Sequence, residues 1–357
     1  MKKYLRIGAA LIFVFAILYS VFWFYQSKQV RGIVDHALAK GAIRLGGVNS
    51  SFEYSDMKVQ GFPLSFDVTI DNPKLNLRDK RLSLEVASQE PLLISSDVIG
   101  YKLKVVFPPT VNSTAINSDD VAPIKISWAN PPVLVVKTSG LLFRAPKKDV
   151  PYESIHYSDS GYSVYKEGEE GVFASSGGTS YNVIREDGFD VIAFSNSNLK
   201  IDNLMPFASD LDLGSVDVSG NIKQKVSSDA SMYEFVVDNF NFSSEIFSID
   251  VMGRWKSAGA KQQPLGDLKV RLSNYENMVD YTSDAVNYAV ENSAFPIFRV
   301  KSQQKDGFKS FLYSLATEKY NEGSDLMLVI TSDDKSGIKV GQYNFFEVMG
   351  LFRESFN

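Results

Sequence analysis

The sequence predicts a mainly β, α+β protein: an N-terminal transmembrane helix, then an extended antiparallel, amphipathic β-sheet domain with two late helices packed on it. Three observations carry this. An uncharged apolar run from Gly8 to Tyr25 follows a basic start. From Phe52 onward, apolar residues recur at every second position in one short run after another, separated by turn residues. Two segments after residue 270 return to helical spacing.

The N-terminal run comes first. Lys2, Lys3 and Arg6 precede 18 residues without a charge. At about 1.5 Å per residue they cover most of a hydrocarbon core of about 30 Å. Phe13 and Phe15 lie inside this span, and Trp23, with Tyr19 and Tyr25, stands toward its far end, where interfacial aromatics are favoured. A cleaved signal peptide is the rival reading. It would end in a small-x-small site, which Leu18 to Phe22 does not offer. The basic start keeps its own side cytoplasmic. Residues 1–26 are therefore read as cytoplasmic tip and anchor, and the chain from about residue 27 as extracytoplasmic.

Residues 27–47 read as a stalk helix. Val30, Ile33, Val34, Ala37 and Leu38 fall at helical spacing, and Gly46-Gly47 ends the pattern. Residues 48–357 are expected to form the β-rich extracytoplasmic domain, with a sub-boundary left open in the Gly-, Ser- and charge-rich stretch 144–182.

Within that domain the period is two. Phe62, Leu64, Phe66, Val68 and Ile70 alternate with Pro63, Ser65, Asp67 and Thr69. The same alternation recurs in Leu82/Leu84/Val86, Tyr101/Leu103/Val105/Phe107 and Ile124/Ile126/Trp128. Val133 to Val136 is apolar throughout and reads as a strand buried on both faces. Later strands are expected at 189–194, 199–201, 216–218, 235–242, 246–251, 268–272, 326–330 and 338–340. Asn72-Pro73, Pro108-Pro109 and Asn130-Pro131-Pro132 supply turn chemistry between strands. Asp-Asn pairs in TIDNPKL, LKIDNLM and VVDNFNF read as one recurring turn.

The two helices carry their own signals. Ser273 and Glu276 fit a capping box ahead of Met278, Tyr281, Ala285 and Ala289. Asp306 precedes Phe308, Phe311, Leu312, Leu315 and Ala316, with Gly323 as the stop.

Composition excludes several functions. A net charge of -5 over 357 residues gives no basic footprint for nucleic acid. With no cysteine, disulfides, thiol catalysis and thiolate metal sites are excluded. The two histidines, His36 and His156, have no ligand-like spacing. Neither a nucleophile elbow nor a phosphate-binding glycine loop is present. No catalytic, cofactor-binding or metal-binding residue is assigned, and the protein is not expected to be an enzyme.

Val59, Gly61, Phe62, Pro63 and Leu64, with Asn72-Pro73-Lys74-Leu75 behind them, resemble the alphaproteobacterial family known as domain of unknown function 2125. That family joins one N-terminal membrane segment to a "v-x-G-F-P-[apolar]" stretch entering a strand pair. The strand at Gly266 to Val270, the helix after it and the closing strand-turn-strand at Gly337 and Gly341 are similar too. The resemblance implies no catalytic residues. More distantly, the layout resembles AsmA-like envelope proteins linked to lipid trafficking.

These readings converge on a single-pass protein of the bacterial inner membrane with its main domain in the periplasm. The first functional expectation is binding or transfer of a lipid or other amphiphile on an apolar sheet face formed by Phe62, Leu64, Phe66, Val68, Ile70 and Phe107. The alternative is a scaffold or assembly factor acting through contacts with other envelope proteins.

Overall fold

The alternation after Phe62 becomes a strand in the computed structural model. Along Ser65–Asp71, Phe66, Val68 and Ile70 are buried and the residues between them are only partly covered. The structure describes residues 19–28, 30–32, 49–62, 65–78, 83–97, 101–115, 122–138, 152–168, 171–201, 213–226, 233–257, 265–292, 301–333 and 337–355. Contacts divide the chain into two units, Met1–Val172 and Phe173–Asn357.

The first unit holds helical residues 19–28 and 30–32 (α1) and twelve strands. These are β1 (Asn49–Glu53), β2 (Asp56–Gln60), β3 (Ser65–Asp71), β4 (Lys74–Arg78), β5 (Ser83–Ala87) and β6 (Leu92–Asp97). There follow β7 (Lys102–Val106), β8 (Thr110–Ala115), β9 (Ile124–Trp128), β10 (Val133–Thr138), β11 (Tyr152–Asp159) and β12 (Tyr162–Lys166). They form two antiparallel sheets. The first has the order β1-β4-β5-β8-β9-β12. The second has the order β2-β3-β6-β7-β10-β11.

The two orders are one order. Each pass of the chain supplies a strand to one sheet, bends, and supplies the next strand to the other. The bends fall at Tyr54-Ser55, Asn72-Pro73, Ser88 to Pro91, Phe107 to Pro109, Ala129 to Pro132 and Ser160-Gly161. Proline suits such a place because it has no N–H to leave unpaired and resists continuing a ladder. Its carbonyl still accepts: Ser88 N bonds Pro73 O at 3.0 Å, and Trp128 N and Phe107 N bond Pro109 O and Pro132 O at 2.9 Å. The apparent turns at Asn72-Pro73, Pro108-Pro109 and Asn130-Pro131-Pro132 therefore do not reverse the chain; they crease it. The reversals lie at the other ends of the strands, as at Gly61, whose φ of 101° permits the β2–β3 hairpin.

The second unit is a meander of longer strands. β13 (Ala174–Ser176) pairs with the end of β15 (Phe189–Ile201), and β14 (Gly178–Glu186) leads the main order. It continues through β15, β16 (Val216–Val226), β17 (Tyr233–Ser243), β18 (Ser248–Ser257), β19 (Leu265–Ser273) and β21 (Asp325–Asp333). β20 (Glu318–Tyr320) and β22 (Gly337–Val340) share the outer side of β21, and β23 (Tyr343–Asn344) follows β22. Asp238-Asn239 does not turn the chain here: it lies inside β17 as a bulge, where the register shifts between Val237 and Phe240.

Three helices pack on this sheet: α2 (Tyr275–Asn292), α3 (Ser302–Leu315) and α4 (Phe345–Ser355). Val279, Phe311, Leu312 and Leu315 meet Leu272, Leu326 and Leu328 in the core. Ser273 closes β19 instead of capping α2, and Asn274 makes the corner at φ 53°. α3 begins four residues before Asp306 and stops at Leu315, because Thr317 N bonds Met327 O at 2.8 Å and draws the chain into the sheet edge. α4 was not expected. Asn344 Oδ1 accepts from Phe346 N and Glu347 N, and Glu347 returns a bond to Asn344 N, a capping box at its start.

The strand expected at Val133 to Val136 forms, but it is half-buried throughout, with alternate residues on opposite faces. The predicted stalk from residue 33 to 47 and the apolar run up to Leu18 lie outside the described residues. Among the described residues no helix is long and apolar enough to cross a membrane.

Asp325 fastens the β19–α2 corner to β21. It is 4% exposed and accepts from Arg271 Nη2 at 3.0 Å, Asn274 N at 3.1 Å and Asn321 Nδ2 at 2.7 Å. Burial pushes its carboxyl up, but these donors and the Arg271 charge outweigh it and hold it below the usual range. Asp325→Asn is expected to cost about 2 kcal/mol at neutral pH, the scale of hydrogen bonds to a charged group. Because the folded-state pKa is depressed, the wild-type advantage is present above the unfolded value of about 3.9 and is lost as pH falls through the folded one. Urea unfolding of both forms between pH 7 and pH 3 measures this; a difference independent of pH would refute it.

Candidate functional site

Register shows which side chains share a face. On the second sheet Met57 stands opposite Ile70, and Val59 opposite Val68. Val68 and Ile70 stand opposite Ile94 and Leu92. The row continues through Val105, Leu134 and Tyr157, with Leu103, Val136 and Ile155 beside it. On the first sheet Phe52, Leu75 and Val86 align, as do Leu77 and Leu84. Val111, Ile126 and Val164 carry that face onward, with Trp128 beside Tyr162. The opposite faces carry Lys58, Asp67, Lys104 and His156, and Glu53, Lys74, Glu85 and Lys125. Phe52 packs in one cluster with Met57, Val68 and Ile70. The apolar faces of the two sheets thus turn toward the same side of the crease.

Cover over this surface is uneven. Among the described residues of the first unit, and apart from the prolines of the bends, the buried apolar side chains are Trp23 and Val30 from α1, Met57 from β2, and Phe66, Val68 and Ile70 from β3. Trp23 stacks on Phe66 with ring centroids 5.7 Å apart and meets Phe62 edge-on at 5.4 Å. Its Nε1 donates to Ser65 O at 3.2 Å. Farther along, Leu103, Val105, Leu134, Val136, Ile155, Ile126 and Val164 are only half-buried. Two sheets closed on each other would bury such rows to native density.

Polar groups mark the far passes. Trp128 Nε1 is shielded from solvent and has no hydrogen-bond acceptor among the described residues. Tyr157 donates to Asp159 Oδ2 at 3.0 Å, and burial first, then the Asp159 charge, push its hydroxyl above the ordinary tyrosine range.

The structure brings Phe66, Val68 and Ile70 together on this face. Phe62 sits beside them at the hairpin end, 49% exposed. Phe107 stands in the bend between β7 and β8, half-buried, its N–H committed to Pro132 O. Leu64, Phe13 and Phe15 lie outside the described residues. Trp23 is a correction to the sequence reading: its ring is 6% exposed and belongs to the sheet's core, since Phe66 and the Ser65 carbonyl offer both a stacking surface and an acceptor. Sequence reasoning opened the alternation at Phe52 but placed neither it nor Met57 on this face; Tyr54 and Ser55, lying between two alternating runs, were the available signal of a bend.

The second unit repeats the theme. Val183, Ile192, Phe194, Ile222, Phe235, Phe240 and Phe242 line one face of β14 to β17 by register. The helix-packed core draws on β18, β19, β21 and β22. On the opposite face a shallow depression at the β17 bulge is lined by Asp238, Met252, Arg254, Asp267 and Lys269. Oppositely charged, exposed groups make a solvated surface there. His156 is exposed, His36 lies outside the described residues, and no group of three or more metal-ligating residues occurs among the described ones.

Residues 23–148 match the model of a family described as "Uncharacterized protein conserved in bacteria (DUF2125)". The match begins at the tryptophan that stacks on Phe66 and takes in the first ten strands. No curated protein matches the chain.

Face assignment is testable on β3. Phe66→Asp is expected to cost more than about 4 kcal/mol, combining a lost core aromatic with a buried charge. Thr69→Asp, on the other face, is expected to cost under about 1 kcal/mol. Urea denaturation of the two variants checks both, and equal costs would contradict the assignment.

Proposed function

The chain belongs, over residues 23–148, to the DUF2125 family of uncharacterized bacterial proteins, and from that premise we propose that it is a non-catalytic envelope protein that binds, or helps to transfer, a lipid or other amphiphile. In this reading the span at residues 8–25 anchors it in the inner membrane and the β-sheet units lie in the periplasm. The observation that carries the proposal is the pair of apolar faces crossing six strands each, sealed among the described residues by α1 only over β2 and β3. At about 4.8 Å between strands, such a face is roughly 24 Å across. One leaflet's acyl layer is roughly 15 Å deep, half of a hydrocarbon core of about 30 Å, so the face accommodates an acyl chain along its width. The Trp128 N–H supplies a donor for a polar atom of the same ligand, such as an ester or headgroup oxygen.

A scaffold role is the second reading, and α4 supports it. Its first five residues present Phe345 at 56%, Phe346 at 84% and Met349 at 50% exposure, an apolar patch of the kind found at protein contacts.

Native mass spectrometry of the full chain extracted in mild detergent tests the proposal. The expected result is a bound mass of phospholipid size, lost in Val105→Asp and Leu134→Asp variants whose circular dichroism is unchanged. A folded chain that neither carries nor takes up lipid would leave the scaffold reading. Trp128→Phe separates fold from ligand. Removing an unpaired buried N–H is expected to leave stability unchanged or raise it by up to about 1 kcal/mol. Lipid retention should nevertheless fall. A variant with undiminished retention would remove Trp128 from the site.

A further inference from the structure

We propose that the outward side of α1 and the tip of the β2–β3 hairpin seat together on a phospholipid bilayer, so that the sealed, β2–β3 end of the second sheet's apolar face lies at the membrane interface. The inference rests on the anchored reading above and adds to it the surface and the orientation. α1 has two faces. Trp23 and Val30 are 6% and 2% exposed in the sheet's core, whereas Val21, Phe22, Phe24 and Tyr25 are 61%, 45%, 64% and 60% exposed. Four large apolar side chains within five positions, all facing water, are not the solvent side of an ordinary amphipathic helix. The patch does not end with the helix. Phe62 is 49% exposed at the hairpin, with its ring 6.0 Å from Tyr19 and 5.4 Å from Trp23.

Two features choose a bilayer as the occupant. The chain ahead of the patch, Gly8 to Leu18, is apolar and uncharged, so greasy sequence runs directly into the exposed face. Behind it, exposed Lys28 and Arg31 follow on the next turns. Aromatics followed by basic residues match the interface and the phosphate layer in that order. Phe62 then lies level with the interfacial aromatics. It also meets Trp23, whose ring stacks on Phe66, so the hairpin places the sealed end of the apolar face next to lipid.

The chain has no cysteine, so a single introduced one is labelled uniquely. Phe62→Cys, Tyr25→Cys and, as a control on the outer face of β3, Thr69→Cys would carry an environment-sensitive fluorophore. The full chain is reconstituted into phosphatidylcholine–phosphatidylglycerol vesicles with spin-labelled lipid. Lipid-borne quenching is expected to be at least about threefold stronger at Phe62 and Tyr25 than at Thr69, with the reverse order for aqueous iodide. If Phe62→Cys disturbs the packing against Trp23, Tyr25→Cys reads the same surface from the side away from the core. Chain that fails to float with vesicles overturns the anchored reading and this inference together. Chain that floats with Phe62 and Tyr25 labels as wet as Thr69 overturns the inference alone. Binding to native membranes but not to pure lipid vesicles would assign the surface to a protein partner and overturn it as well.

Discussion

A strand can be creased only where its backbone groups still find partners, and the first unit depends on six such creases lying in one line. At four of them a proline, which has no N–H to donate, stands in the bend; at the other two, Ser55 N donates to Asp71 O and Gly161 O accepts from Ala129 N. Pro73, Pro109 and Pro132 lend their carbonyls to Ser88, Trp128 and Phe107. Ser88 Oγ adds a bond to Thr110 O at 2.7 Å, and Asn130 Nδ2 one to Ser160 Oγ at 3.0 Å. Pro73, Ser88, Pro108, Pro132 and Gly161 are themselves buried, so the line of bends is packed as well as bonded. Because unpaired backbone groups are costly away from water, slipping one pass by a residue would break bonds in both sheets at once and turn apolar side chains outward.

The crease fixes where the apolar surface can be. Both sheets inherit their facing from the same passes, so their apolar rows turn to one side without a second sheet wrapping around them. Cover must come from elsewhere. Over β2 and β3 it comes from α1 through Trp23 and Val30; over β18 to β21 of the second unit it comes from α2, α3 and α4. Where no described helix lies, in β7 to β12 and in β14 to β17, the inward aliphatic and aromatic side chains remain mostly half-buried. The lipid proposal and the membrane-seating proposal draw on the same inequality, more apolar face than helix to cover it.

Strand periodicity was legible residue by residue. A side-chain repeat of two is local, so Phe66, Val68 and Ile70 could be placed on one face from their spacing alone. The existence of α2 was legible for the same reason, but not its buried stripe: Tyr275, Val279 and Ser283 face the core, while Met278, Tyr281 and Ala285 are only half-buried; the capping box at Asn344 and Glu347 was present to be found. What spacing does not carry is the partner. Whether Asn72-Pro73 reverses a chain or creases it depends on which strand lies alongside, and those partners are tens of residues away. Asp238-Asn239 shows the same limit: its letters match Asp71-Asn72, yet one pair sits at a crease and the other in a bulge.

Trp23 marks the boundary between the two kinds of knowledge. The sequence by itself determined that an aromatic-rich, apolar segment precedes an amphipathic β domain without cysteine or catalytic motif. It also determined which residues alternate, since both follow from composition and from local backbone geometry. Only the tertiary structure decided that Trp23 turns inward onto Phe66 while Phe24 and Tyr25 turn out. Those outcomes rest on a stacking surface and a carbonyl acceptor 42 residues farther along the chain, which no local pattern encodes.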